Sequence, residues 1–365
     1  MTAGPMTAGP TTPHPLPRIA LIGAGSMGSL HARVIAQSAR CDLARVVDRQ
    51  EHGRVVANRY GASWAADFDG LPGIDAVVVA AATEAHYEIA RRVMELGKPL
   101  LVEKPLTPSY ALSAALVAES HDRGLPLVCG FLERFNPAVL TARQFVGDIA
   151  QIHAMRHSPF VPRIKTGVAT DLLIHDVDLA IGFLGQRPSA VKGSFGYFHA
   201  ESRMNEAEDS ADATMSFPGG ALATISATRI SQRKVRQLSV LEVDRLTEID
   251  LLRRDITIYR HVADSAAGDG VGYKQQTIIE IPTILLGTEP LAAQLDHFLD
   301  LIEAGAGSDE VAAERDAILP AHLAIEQATV SATAASATRA VNGESAGTEP
   351  SGTEPSRERL WVISG

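Results

Sequence analysis

The sequence predicts two joined architectures, an α/β domain with a parallel sheet and then an α+β domain with a mostly antiparallel sheet. Three observations predict them. Strand and helix patterns alternate from Arg18 to Gly130, which implies parallel strands joined by right-handed crossovers. Beyond Gly130, β-branched alternating runs follow one another without intervening helices, the pattern of antiparallel strands. A chain of 365 residues is long enough for two sizeable cores.

In order, Arg18–Ile22 reads as a strand, Met27–Ser38 as a helix, Leu43–Val47 as a strand and Gly53–Tyr60 as a helix. Ala76–Ala82 is an apolar run of strand length, and His86–Leu96 is a helix with Ile89, Val93 and Leu96 on one face. Leu100–Val102, Tyr110–Arg123 and Leu125–Gly130 continue as strand, helix, strand. Residues 171–184 form one helical segment. Strand-like runs follow at 189–199, 210–217, 220–228, 236–243, 246–251, 255–260 and 276–281, with a tight-turn signal at Phe217-Pro218-Gly219-Gly220. Pro290–Glu303 and Glu310–Ala334 return to helix. The expected division is a first domain over 18–132 and a second, for substrate and oligomerisation, over 133–341. Residues 1–17 repeat Met-Thr-Ala-Gly-Pro and read as a disordered leader. Residues 342–365 repeat Gly-Thr-Glu-Pro-Ser and read as a disordered tail.

A hydrophobic fraction of 45% with 21% charged residues fits a soluble globular protein. The net charge of −10 argues against nucleic-acid binding. No apolar stretch is long enough to cross a membrane and no signal peptide is present, so a cytoplasmic location is expected. Two cysteines, Cys41 and Cys129, have neither disulfide-framework nor metal-ligand spacing.

The first strand runs into Gly23-Ala24-Gly25-Ser26-Met27-Gly28. Glycines at this spacing, between a strand and a helix, allow a tight turn and the close approach of a pyrophosphate. Asp48 ends the next strand, where a carboxylate accepts hydrogen bonds from ribose hydroxyls and repels a 2′-phosphate. A Rossmann domain holding NAD is expected, with Arg49 beside Asp48 leaving NADP open. Ser26 and Met27 in the turn, and Thr83 and His86 after the third strand, are the further expected cofactor contacts.

Leu100-Leu101-Val102 ends in Glu103-Lys104-Pro105. Lysine is costly to bury, and the carboxyl ends of strands in open α/β sheets are where ligands bind. Glu103 and Lys104 are therefore expected beside the cofactor, with Lys104 also doing chemistry. Asp171 and His175 stand one helical turn apart, so the carboxylate is expected to fix the imidazole while the imidazole moves a proton. The same acidic segment also fits a structural helix start, and no cluster completes a metal site. Arg163 and Lys165 precede this helix and fit either an anionic substrate group or solvated loop charge. Arg229, Arg233, Lys234 and Arg236 fit a phosphate clamp or a basic strand edge that resists aggregation, the edge being the favoured reading. His31 is expected to pack against the sheet, and His297 to be structural.

Taken together, Gly23-x-Gly25-x-x-Gly28-x-x-His31, Glu103-Lys104-Pro105 and Asp171-x-x-x-His175 resemble the Gfo/Idh/MocA family of nicotinamide-dependent sugar dehydrogenases, over roughly residues 18–335. The resemblance implies a Rossmann domain and an open, mostly antiparallel sheet whose exposed face packs against another subunit, giving a homodimer or homotetramer. It implies oxidation of a secondary hydroxyl, with His175 as general base, Asp171 as its partner or a substrate contact, and Lys104 as the cation that polarises the alcohol or itself takes the proton. Gly130 to Val139, which carries Arg134 and Asn136, and Glu289-Pro290-Leu-x-x-Gln-Leu-x-His-Phe look like the branch that includes UDP-N-acetylglucosamine 3-dehydrogenases. That likeness makes Arg134 and Asn136 expected substrate contacts and a nucleotide sugar the expected substrate. Thr166, where inositol dehydrogenases have Gly, counts modestly against an inositol or polyol. A polyol or free-sugar dehydrogenase is the alternative within the family, and a non-catalytic cofactor-binding regulator the alternative outside it.

Overall fold

The computed structural model describes residues 16–341 apart from 69, 162–165, 266–272, 285, 286 and 288. Residues 1–15 of the expected leader, the expected tail, Arg163 and Lys165 therefore lie outside the described residues.

The first unit runs β1 (Arg18–Ile22), α1 (Ser26–Gln37), β2 (Asp42–Val47), α2 (Glu51–Arg59), β3 (Ser63–Ala65), β4 (Ala76–Val79), α3 (Thr83–Glu95), β5 (Leu100–Val102), α4 (Tyr110–Asp122) and β6 (Leu127–Cys129). Its strands pair in parallel in the order β3-β2-β1-β4-β5-β6, the doubly wound order in which ligands bind where the winding reverses. Every residue of β4 and β5 is buried, because helices cover both faces of such a sheet. The register pairs Ile22 with Val47 and Val79, and Val79 with Val102. The residues that follow, Gly23, Asp48, Ala80 and Glu103, therefore emerge along one edge. Strand β3 is a short edge strand that the sequence reading passes over.

A 3₁₀ turn (Leu132–Phe135) and α5 (Pro137–Ala142) lead into the second unit. It contains β7 (Ile149–His157), a π-helical turn (Ala169–Leu173), α6 (Ile174–Leu184), β8 (Ala190–Gly196), α7 (Ala200–Met204), β9 (Ser210–Ser216), β10 (Leu222–Thr228), β11 (Val235–Glu242), β12 (Arg245–Asp250), β13 (Asp255–Ser265) and β14 (Tyr273–Glu280). The eight strands form one sheet in the order β14-β13-β12-β11-β7-β10-β9-β8. All neighbours are antiparallel except β7 and β10. Alternation sets its two faces: Ile152, Ala154, Ala213, Met215, Ala223 and Ile225 are buried inward, beneath α6 and α10 (Leu319–Val341). Strand β8 has a glycine, Gly193, where α10 crosses it, since a Cβ there would run into Ala328 O.

Two further helices, α8 (Pro290–Ala304) and α9 (Asp309–Asp316), return to the first unit. Leu291, Leu295 and Phe298 share one core with Ile19, Leu21 and Val128. Within the expected second domain, 133–341, the apolar faces of α8 and α9 thus complete the first sheet's cover. Strand β11 sits between β12 and β7, so the strand-edge reading of the basic cluster at 229–236 fails.

Candidate active site

The turn after β1 is built around its glycines. Gly23 has φ +91, and a Cβ on it would lie 2.6 Å from Ala80 O. A Cβ on Gly28 would run into Gly23 O, whereas one on Gly25 would meet nothing within 4 Å. Gly25 thus borders open space, where a ligand can approach backbone. That space is a cleft of about 850 Å³ lined by Gly23, Gly25, Ser26, Met27, Asp48 and Arg49, with Ala82 and Ala85 opposite. Asp48 closes the turn as Oδ2 accepts from Ala24 N at 2.7 Å and Oδ1 from Gln50 N at 2.8 Å. No side chain caps the first turn of α1, so its N–H groups remain available to an anion. The open approach at Gly25, the uncapped helix and the β2 carboxylate fit a dinucleotide.

At the end of β5 the Glu103–Lys104–Pro105 turn, with a cis Lys104–Pro105 bond, is braced by three imidazoles. Glu103 Oε1 meets His31 Nε2 at 2.8 Å, both side chains being buried. His86 Nδ1 lies 3.0 Å from Pro105 O, and its Nε2 lies 3.1 Å from Ala81 O. His322 of α10 accepts from Leu106 N at 2.9 Å through Nε2 and donates to Ile318 O at 2.8 Å through Nδ1. Glu103 and His86, expected against the cofactor, instead engage their polar atoms inside the protein, because their strand end and helix turn bury them. Thr83 opens α3, half-buried, and is not among the cleft-lining residues. His31 packs as expected and is also a partner of Glu103.

Lys104 points the other way. Its Nζ donates to Asp171 Oδ1 and to Asp171 O, both at 2.8 Å. The second carboxylate oxygen, Oδ2, accepts from Arg229 Nη2 at 2.6 Å, and Arg229 also donates to Thr166 O at 2.5 Å. Burial alone would raise the Asp171 pKa, but Lys104 and then Arg229 outweigh it and hold the carboxyl below its usual range. Asp171 is therefore not the orienting partner of His175. Residues Ala169–Leu173 adopt a π-helical turn, and both carboxylate oxygens of Asp171 are taken by Lys104 and Arg229. His175 is partly buried; its Nδ1 is enclosed without a hydrogen-bond partner, and no hydrogen bond engages its Nε2 among the described residues. Burial, then the charges of Lys104, Arg156 and Arg236, push its pKa well below the ordinary value. At neutral pH it is an uncharged imidazole with a lone pair.

Two expected substrate contacts are structural. Arg134 binds Asp178 through Nε at 2.8 Å and Nη2 at 2.6 Å, reaches Ala317 O and Glu314, and lies 4.8 Å over the Phe131 ring. It ties α6 to α9 through these bonds. Asn136 is buried, capping α5 by accepting from Ala138 N and donating to Glu133 Oε2 and Leu251 O. The sequence reading missed Arg156, buried and paired with Asp176 by two bonds of 2.7 Å and with Glu133 at 2.9 Å. It also placed Arg229 at an edge, whereas Arg229 is 4% exposed beside Lys104's carboxylate. No group of three potential metal ligands occurs among the described residues.

Two family models match the chain, the oxidoreductase family with an NAD-binding Rossmann fold over residues 17–131 and the GFO/IDH/MocA C-terminal domain over 140–242. The UDP-N-acetylglucosamine 3-dehydrogenase of Acidithiobacillus ferrooxidans is 30% identical over 291 residues, 79% of this chain and 89% of that protein. An inositol 2-dehydrogenase of Rhizobium meliloti is 25% identical over 315 residues, 81% of this chain and 93% of that one. The solved structure of the Acidithiobacillus enzyme superposes with a TM-score of 0.74 over 87% of this chain and 98% of its own, at 27% identity. Levoglucosan dehydrogenase in complex with NADH and levoglucosan shares the fold, with a TM-score of 0.72 at 19% identity over 88% and 98%. With the cleft and both domain models in agreement, the chain belongs to the GFO/IDH/MocA oxidoreductase family and is an NAD-dependent enzyme acting on CH–OH groups.

Proposed function

We propose that this enzyme oxidises a secondary hydroxyl of a sugar, and that its substrate is a nucleotide sugar attacked at the 3-hydroxyl, such as UDP-N-acetylglucosamine. The observation that carries the reaction is Lys104 Nζ on Asp171, at the end of β5 and near an imidazole, His175, whose Nε2 has no hydrogen bond among the described residues. The 30% identity over 89% of a UDP-N-acetylglucosamine 3-dehydrogenase supports the substrate. NAD, bound on the Gly23–Gly28 turn with its ribose on Asp48, supplies the hydride acceptor.

The chain's own residues do the rest. Asp171 stays ionised and holds Lys104 as a cation aimed at the substrate oxygen, where it stabilises the developing alkoxide. The hydroxyl proton passes to His175 Nε2, whose neutral form is kept ready by burial and by surrounding cations. Lys104 is given the polarising role, because its ammonium already donates twice to Asp171. Residues 18–132 hold the cofactor in this reading, and strands β7–β14 face the substrate and other subunits. The outer face of the second sheet exposes Met155, Leu222 and Ile279, which fits a homodimer or homotetramer. No helix among the described residues is long and apolar enough to cross a membrane.

The inositol relative favours a second reading, a polyol dehydrogenase. Initial rates of NADH formation with UDP-N-acetylglucosamine, N-acetylglucosamine and myo-inositol decide between them. A kcat/KM for the nucleotide sugar at least about tenfold above the others is expected, equivalent to about 1.4 kcal/mol. A preference for myo-inositol would overturn the nucleotide-sugar reading.

A further inference from the structure

Arg236 is a cation on the inner face of the second sheet with no ion pair among the described residues. In the β7–β11 register it stands directly opposite Arg156, and paired residues in an antiparallel ladder project to the same face. That face is the one α6 covers, since Arg156 reaches Asp176 of α6 from it. Two like charges placed opposite each other repel. Arg156 is relieved by Asp176 and Glu133. Arg236 has no carboxylate within ion-pair distance among the described residues; it donates only to His157 O and Val235 O at 3.2 Å and to Ser158 Oγ at 3.3 Å. It is half-buried. Arg233 and Lys234 lie exposed on the loop that enters the same strand. His157 Nε2 and His175 Nδ1 are both enclosed without a partner. The protein thus keeps Arg236 beside this group of charges with the nearby carboxylates Asp176, Glu133 and Asp171 paired to other cations.

We propose that Arg236, with Arg233 and Lys234, forms a subsite for an anionic group carried by the sugar substrate, a phosphate or a carboxylate. Burial, then Arg156, push the Arg236 pKa down to about 10, the direction expected of a cation awaiting a counter-charge. An arginine fork takes two oxygens of either group in parallel. The subsite rests on the sugar-dehydrogenase reading for its place beside His175, and it would distinguish charged sugars from neutral polyols.

The test uses the NADH-loaded enzyme and two probes, inorganic pyrophosphate and glucuronic acid, titrated calorimetrically into the wild type, Arg236→Met and Arg236→Lys. Arg236→Met is expected to weaken one probe by at least about tenfold while leaving NADH affinity unchanged. The probe affected identifies the anion as phosphate or carboxylate. The melting temperature of Arg236→Met should hold or rise, because the repulsion with Arg156 is gone; a merely structural arginine would lower it. Arg236→Lys keeps the charge without the fork and should lose affinity by a smaller factor, so it carries the test if Arg236→Met does not fold. Wild-type affinity of Arg236→Met for both probes, or of Arg236→Lys if Arg236→Met does not fold, overturns the subsite. Loss of pyrophosphate binding without turnover of UDP-N-acetylglucosamine would keep the subsite and reject the nucleotide-sugar function.

Discussion

The ammonium of Lys104 occupies a partly buried place only because a carboxylate meets it: Asp171 takes it at 2.8 Å and is itself held by Arg229. An isolated charge there would be costly, and the pair converts that cost into a fixed direction. Replacing Lys104 by Met removes the cation that faces the substrate oxygen but leaves the nucleotide cleft intact. Turnover is expected to fall by about three orders of magnitude, with NADH affinity, followed by fluorescence titration, unchanged. Near-normal turnover would remove Lys104 from the mechanism. At this scale the sequence was informative about residues set on local frames and misleading about residues whose partners lie far along the chain. Lys104 and Gly23–Gly28 declared themselves through strand ends and turn chemistry. Arg134 and Asn136 did not, because Asp178 and Leu251 O, which engage them, are distant in sequence. Arg229 and Arg236 look alike as members of one basic run, and only the sheet separates one that holds Asp171 from one with no ion pair among the described residues.

Within the elements, the two glycines Gly25 and Gly28 differ in a way their shared motif conceals. Gly28→Ala drives a methyl into Gly23 O and should destabilise the protein by about 1–3 kcal/mol. Gly25 has φ −62 and open space around its missing Cβ, so Gly25→Ala should leave the melting temperature alone while raising the NAD dissociation constant about tenfold, since the pyrophosphate must approach that backbone. Melting curves beside NADH titrations separate the two effects. Equal losses of melting temperature in both variants would contradict the assignment of Gly25 to the ligand. The parallel strands were readable because β4 and β5 are uniformly apolar. Strand β7 was not, because Arg156 faces inward and interrupts its alternation, an exception made tolerable by Asp176 on another element. The π-helical turn was equally hidden. It leaves the polar pattern of residues 169–175 compatible with an ordinary helix, a pattern that does not reveal that Asp171 meets Lys104 and Arg229.

Across the whole molecule, α10 closes the chain back onto its first unit. The helix packs along β8 and α6 and also reaches α4, and its His322 holds the backbone of the turn that presents Lys104. The imidazole must be neutral to do so: Nδ1 donates to Ile318 O, leaving the Nε2 lone pair for Leu106 N–H. A second proton would set two N–H groups against each other. Burial, offset in part by the Ile318 contact, lowers its pKa to about 4 from an ordinary 6.5. The unfolded chain therefore binds a proton at this site below about pH 6.5 that the folded protein refuses until about pH 4, so stability falls as pH drops through that window. The depressed His175 acts in the same direction. Over the window His322 contributes about 3 kcal/mol of acid sensitivity, at up to about 1.4 kcal/mol per pH unit. His322→Gln keeps an acceptor for Leu106 N–H but cannot titrate. Urea unfolding midpoints between pH 7 and pH 5 should decline less steeply for His322→Gln than for the wild type, while parallel declines would show that this imidazole is not what couples the two units to pH.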